Sequence, residues 1–404
     1  MKFSLTCFWI FLFVVIRSVS SQDVNSLLSK ATELIEDKQY ATANIFLESA
    51  IQKAGSLPEL VCLQVENALE NHLYHRNYIS FYMLDLSVED PVEPKAVLPA
   101  SFLRYPDRLL EQIIVQNPTY GAAYKLLGDF YNLKLDSPMD STLINKEAMA
   151  ETVELVFQNY DKAVQLGYND MIINRWLGNY YKSKNQFKSA KQFYQKNIES
   201  GFSDLITYYN LAEINYREKQ YSQSYSHILK VLSDLPVNSL NIRYNSLKIA
   251  AMSLYYLGEV ERFKKYIQEC VRLFPDRQDA YLALLRYYDE KKDADKMEET
   301  VLKMLSENPY DLPGYDFLEV FVLKYERYSF SEKLFENLML AHENSDQVMG
   351  NIYWYRGNLV FHQGMHEEAK KMWEISRSYF RKYLPKDAPV LKKIGSINQK
   401  TFTN

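Results

Sequence analysis

A chain of 404 residues with 47 basic and 51 acidic side chains, net charge −4, has no excess of positive charge to spread over a nucleic-acid-binding surface. Its 12 glycines and 13 prolines are too few for a turn-rich all-β protein, and its 33 tyrosines ask for many amphipathic packing positions.

The N-terminal stretch MKFSLTCFWIFLFVVIRSVSSQ sets Lys2 ahead of an apolar run from Phe3 to Ile16, and small residues follow. That is the layout of a secretory signal peptide over residues 1–21, cleaved after Ser20 or Ser21. The run falls short of the ~20 residues that cross a bilayer as a helix. The mature chain is therefore expected to be secreted or periplasmic and to keep no stable membrane span. Arg17 is atypical so near a cleavage site and leaves an uncleaved anchor open. Cys7 would leave with the signal. Cys62 and Cys270 remain in amphipathic surroundings and read as buried free thiols, with a disulfide left open.

Residues 22–86 read as N-terminal helical repeats: SLLSKATELIEDKQYATANIFLESAIQKAG (Ser26–Gly55), then the amphipathic LPELVCLQVENALENHLYHRNYISFYMLDL (Leu57–Leu86) as a helix pair. Residues 87–117 begin with four prolines between Ser87 and Asp107, which no helix interior tolerates. They read as a loop or insertion followed by a connecting helix.

From 118 to 385 the chain repeats itself. YKLLGDFY (Tyr124–Tyr131), NRWLGNYY (Asn174–Tyr181), YYNLAEINY (Tyr208–Tyr216), LKIAAMSLYY (Leu247–Tyr256), YLALLRYY (Tyr281–Tyr288) and YWYRGNLVF (Tyr353–Phe361) share one spacing of large and small residues. The small positions Gly178, Ala212 and Ala251 lie 34 and 39 residues apart, and Leu285 follows 34 further on. A second helix comes after each polar turn, and Pro118, Pro236, Pro275 and Pro309 fall where it must end. Residues 386–404 are polar and basic and are expected to form a flexible tail.

These residues resemble the tetratricopeptide repeat, a helix–turn–helix unit of 34 residues. Leu177, Gly178 and Tyr181 match its positions 7, 8 and 11, Ala190 and Tyr194 its positions 20 and 24, and Asn197 takes the usually small position 27. The last unit matches through Tyr353, Gly357, Val360, Ala369 and Trp373, whereas the copy around Tyr315–Leu338 departs at Glu319 and Ser331. The resemblance covers seven units from Thr119 to Pro385, with an insertion at Asp136–Ala150, and an eighth at Ser26–Gly55. It implies an all-α, right-handed superhelical solenoid whose first helices line a concave groove. Gly178 then reads as a packing residue on the inner face of its helix, against the second helix that carries Ala190.

In that family the groove is lined by positions 2, 5, 6, 9, 12 and 13 of each unit. They fall on Arg175, Asn179 and Lys182, then on Tyr209, Asn210, Glu213, Tyr216 and Arg217. The following unit supplies Asn245, Lys248, Met252, Tyr255 and Tyr256, and the last Trp354, Tyr355, Asn358 and Phe361. Rings mixed with cations and amides suit an extended peptide or protein partner. A clamp for a peptide's terminal carboxylate would use Arg175, Asn179 and Asn210, but its third repeat offers only Asn245 and Ile249.

Chemistry is sparse. His362 and His366 flank the turn at Gly364 rather than share a helical face, and His72 and His75 lack enough further ligands for a metal. No GxSxG, glycine-rich phosphate loop or CxxC occurs. The expectation is a non-catalytic interaction scaffold with no cofactor, no metal and no nucleic-acid partner, of open oligomeric state. Its rivals are glycan or polymer binding by the aromatic groove and a helical accessory domain of an envelope enzyme.

Overall fold

A 34-residue repeat of two amphipathic helices can bury its apolar faces only against its sequence neighbours, and the computed structural model is built this way. It describes residues 21–74, 81–82, 103–136, 146–168, 170–201, 204–236, 238–392 and 394. Residues 1–20, where a signal peptide is expected, and the stretch 83–102 lie outside the described residues. The chain gathers into two compact units, Met1–Phe202 and Ser203–Asn404, which divide the solenoid expected over 118–385.

In the first unit α1 (Ser21–Glu36) pairs with α2 (Tyr40–Ala54), and α3 (Pro58–Tyr74) packs on α2. There α4 (Pro106–Gln116) lies against α5 (Gly121–Asp136), α5 pairs with α6 (Lys146–Gln165) and α7 (Met171–Ser183) with α8 (Phe187–Glu199). The second unit holds α9 (Leu205–Arg217) with α10 (Tyr221–Asp234), α11 (Leu240–Tyr256) with α12 (Val260–Leu273), and α13 (Gln278–Glu290) with α14 (Ala294–Glu307). It ends with α15 (Leu312–Tyr325) and α16 (Tyr328–Ala341), then α17 (Asp346–His362) and α18 (His366–Phe380).

Local chemistry explains the boundaries. The second helices α10, α12 and α14 stop just before Pro236, Pro275 and Pro309, because the residue before proline is pushed out of helical geometry. Pro118 and Pro309 also accept hydrogen bonds through their carbonyls from Tyr124 (3.3 Å) and Tyr315 (3.0 Å), which tie the next first helix to the end of the previous repeat. Asp170, Asp204 and Ser345 cap α7, α9 and α17 by accepting from the backbone N–H three residues on.

Two expectations are corrected. Among the described residues Leu57–Leu86 holds one helix and not a pair: Phe81–Tyr82 (β1) pairs in parallel with Leu103–Arg104 (β2), and α3 packs on α2, α5 and α4. Aromatic residues suit an extended segment, and Pro106 opens α4 at a first-turn position where its missing N–H costs nothing. Nor is the segment after Pro385 wholly a flexible tail, since Ala388, Leu391 and Ile394 are buried in the last core. Three apolar side chains at helical spacing were enough to dock it.

The spacing of small residues has a specific cause. A Cβ built on Gly178 would stand 2.5 Å from Cε1 of Tyr194, so the neighbour that demands glycine is this ring rather than Ala190. Gly128 meets Tyr160 in the same way at 2.5 Å, and Gly357 meets Trp373 at 2.7 Å. Where the small residue is alanine, position 24 carries isoleucine instead: Ala212 with Ile228, and Ala251 with Ile267, all buried. Asn197, at a position that is usually small, is fully buried and accepts from Asn174 Nδ2 (2.9 Å) while donating to the carbonyl of Met171 (3.1 Å).

Gly178→Ala is expected to lower stability by about 1–3 kcal/mol through overpacking, despite the better helix propensity of alanine. Adding Tyr194→Ile, which reproduces the alanine–isoleucine pairing of the second unit, should recover part of the loss. Chemical unfolding of the two single variants and the double variant checks this. Strict additivity would show that the ring is not the obstacle.

Candidate binding cleft

The ring that covers each glycine has a polar tip, and that tip needs a partner. Tyr160 Oη donates to Asp129 Oδ1 (2.7 Å), Tyr194 Oη to Asn179 Oδ1 (2.6 Å) and Trp373 Nε1 to Asn358 Oδ1 (3.0 Å). Each acceptor directly follows its glycine, at position 9. The same carboxamide of Asn358 also donates to Glu319 Oε2 (2.8 Å). Asn179 and Asn358, expected to address a partner, are thus engaged within the fold.

Three further expected groove residues are buried. Asn210 is 6% exposed, Trp354 7% and Tyr355 4%. Tyr355 stacks on Tyr315 at 5.2 Å and donates to Asp316, and Trp354 lies beside Trp373. They belong to the core that also takes in Leu391 and Ile394, so they are packing residues. Arg175 and Lys182 are half-buried on α7, Tyr209 is half-buried on α9, and exposed Arg217 pairs with Glu213 at 2.7 Å.

The second unit differs where its small residues are not glycine. Ala251 packs with Ile267 and Leu285 with Val301 in one core, and no polar tip reaches across to position 9. The residues there, Met252 and Arg286, are released into a cleft of about 260 Å³ lined by Tyr216, Lys248, Ile249, Met252, Asp279, Leu282, Ala283 and Arg286. Tyr216, Lys248 and Met252 were expected. Asp279, Leu282, Ala283 and Arg286 were missed, although the 34-residue step from Ala251 to Leu285 puts them at positions 2, 5, 6 and 9 of the next unit.

The cleft has an apolar floor of Ile249, Met252, Leu282 and Ala283 between polar walls. On one wall Lys248 Nζ lies 2.6 Å from Asp279 Oδ2, while Tyr244 donates to Oδ1 of the same carboxylate. Burial works against the Asp279 charge, yet hydrogen bonds from Lys248 and Tyr244 hold its pKa below the usual carboxylate value. On the rim, Tyr216 is pushed up to about 12 by burial and by its bond with Tyr256, so its hydroxyl stays protonated. Tyr221 and Tyr256 stack at 4.4 Å beside it, and Tyr255 lies edge-on to Tyr256 at 5.2 Å. Arg286 is exposed and carries no ion pair among the described residues.

The equivalent polar positions of α5 are internally paired. Lys125 Nζ lies 2.7 Å from Asp129 Oδ2, with the two side chains only 12% and 17% exposed. Burial opposes the charge on Lys125, but Asp129, Glu66 and Asp170 keep it protonated. Burial also raises the Glu66 carboxyl, with Lys125 opposing and Glu70, Asp129 and Asp170 adding to the rise. The folded chain therefore binds this proton more tightly than the unfolded chain, and stability is lost as pH rises from the unfolded carboxylate value of about 4.3. Glu66→Gln should raise Tm at pH 7, and the gain should vanish below about pH 4. Thermal unfolding at the two pH values checks the sign.

Other candidate chemistry is separated by the fold. His362 ends α17 and His366 begins α18, with Gly364 at φ +81° between them. His75 and the His72 side chain lie outside the described residues. Among the described residues no three His, Cys, Asp or Glu side chains gather as a metal site. Cys62 and Cys270 are buried and unpaired, and burial pushes both thiols up to about 12. Among the described residues no helix is long and apolar enough to cross a membrane.

No protein-family model matches the chain, and no curated protein matches it in sequence. Solved structures do match. The structure of Naa15/Naa10 bound to HypK-THB aligns with 92% of this chain at 12% identity and a TM-score of 0.50; the chain spans 49% of that longer one. The fold is tetratricopeptide-like. YrrB, described as a TPR protein with an unusual peptide-binding site, shares 18% identity over 52% of this chain and 97% of its own, with a TM-score of 0.41. The C-terminal part of a TPR repeat-containing protein from Cytophaga hutchinsonii shares 17% identity over 72% of this chain and 98% of its own, with a TM-score of 0.41.

Proposed function

We propose that this chain is an exported, non-catalytic interaction scaffold that holds an extended peptide segment of a protein partner in the cleft between α9, α11 and α13. The observation that carries this reading is the release of Met252 and Arg286 into a groove whose counterparts at Asp129, Asn179 and Asn358 are held by internal hydrogen bonds. An apolar floor takes side chains of an extended segment, and polar walls take its backbone and charges. The ionisable pair in the cleft supports binding rather than catalysis, because Lys248 and Tyr244 occupy both oxygens of Asp279.

Filling the floor should abolish capture without disturbing the fold. Ala283→Phe is expected to weaken binding of partner peptides at least tenfold, with unchanged helical circular dichroism. Undiminished capture by this variant would move the site elsewhere. Binding of a glycan by the aromatic rim is the second reading, favoured by the 52% exposure of Tyr256. It is weakened by the stacking of Tyr221 on Tyr256, which occupies one face of each ring. Export rests on the apolar run Phe3–Ile16 behind Lys2. N-terminal sequencing of the protein from its native compartment should find a chain that begins at Ser21 or Gln22; a chain that begins at Met1 would mean a retained anchor.

A further inference from the structure

The cleft's unused hydrogen-bonding capacity is almost entirely donor capacity. Its only carboxylate, Asp279, already accepts from Lys248 Nζ and Tyr244 Oη. The Tyr216 hydroxyl is bonded to Tyr256, and Arg286 has an exposed guanidinium with no ion pair among the described residues. A guanidinium presents five N–H donors in a planar fork and accepts nothing, so the group that satisfies it must bring oxygen lone pairs and negative charge. Immediately beside it lie Met252, Leu282 and Ala283, which ask for an apolar neighbour.

Resting on the peptide-binding reading above, we propose that the cleft selects a segment with an internal Asp or Glu side chain next to an apolar residue. The carboxylate pairs with Arg286, and the apolar side chain lies on the floor. A chain-terminal carboxylate is the poorer fit, because no amide side chain lines the cleft to flank it. One exposed guanidinium matches one side-chain carboxylate, and a fork-to-carboxylate contact is directional as well as attractive.

The test uses the immobilised mature chain and pools of amidated octapeptides, randomised among uncharged residues around a fixed central Glu, Asp, Gln or Lys. A further Gln-centred pool keeps a free terminal carboxylate. At low salt the Glu and Asp pools should be retained about fivefold over the amidated Gln pool, and the preference should shrink at high salt, as for any partly exposed ion pair. Arg286→Gln, at an exposed position, should level the Glu and Gln pools while circular dichroism stays unchanged. The proposal is overturned if the Glu and Gln pools bind the parent chain equally, if the Lys pool or the free-acid pool is preferred, or if the acidic preference survives Arg286→Gln. Retention of no pool at all would overturn the peptide-groove reading itself, which is a separate result.

Discussion

An aromatic ring packed against a glycine sets the spacing of the helix pairs, and much else follows from it. Tyr160, Tyr194 and Trp373 each lie where a Cβ on Gly128, Gly178 or Gly357 would collide. The contact brings the two helices of a repeat close together. It also carries a polar tip across to the residue after the glycine, and a buried hydroxyl or indole N–H must be met there. One packing decision therefore settles a second matter: whether position 9 of that repeat is available to a ligand.

In repeats with the ring, position 9 is Asp129, Asn179 or Asn358, and each is held. With alanine or leucine at the small position and an aliphatic residue at position 24, nothing arrives to hold it. Met252 and Arg286 then face open space. Glu213 follows Ala212 in the same way and is paired along its own helix with Arg217. The cleft is thus located by the absence of a ring as much as by the residues that line it.

Charge obeys the same economy of partners. Lys125 and Asp129 neutralise each other where both are largely shielded from water, and Lys248 and Asp279 do so at the cleft wall. Breaking a shielded pair strands a charge at a cost of a few kcal/mol, whereas an exposed pair contributes little. Arg286 stands apart in having no such partner among the described residues, and it does so next to an apolar floor.

Much of this was legible in the residues alone. The 34-residue step, the small residue at position 8 and the prolines after each second helix follow from local periodicity and backbone sterics, which depend on near neighbours in the chain. Even the pairing of glycine with an aromatic residue 16 positions on, at Gly178 with Tyr194 and at Gly357 with Trp373, is visible once the register is set. The sequence by itself therefore determined the helix pairs and their order. Which groove positions stay open was decided only by tertiary structure, because that depends on where a ring's polar tip lands and on what shares a core with each helix end. Trp354 and Tyr355 read as surface residues from their register, yet they are buried in the core that the chain beyond Pro385 enters through Leu391 and Ile394. Asn358 reads as a ligand amide and is instead engaged by Trp373 and Glu319. Register says which way a side chain points; only the fold says whether something is already there.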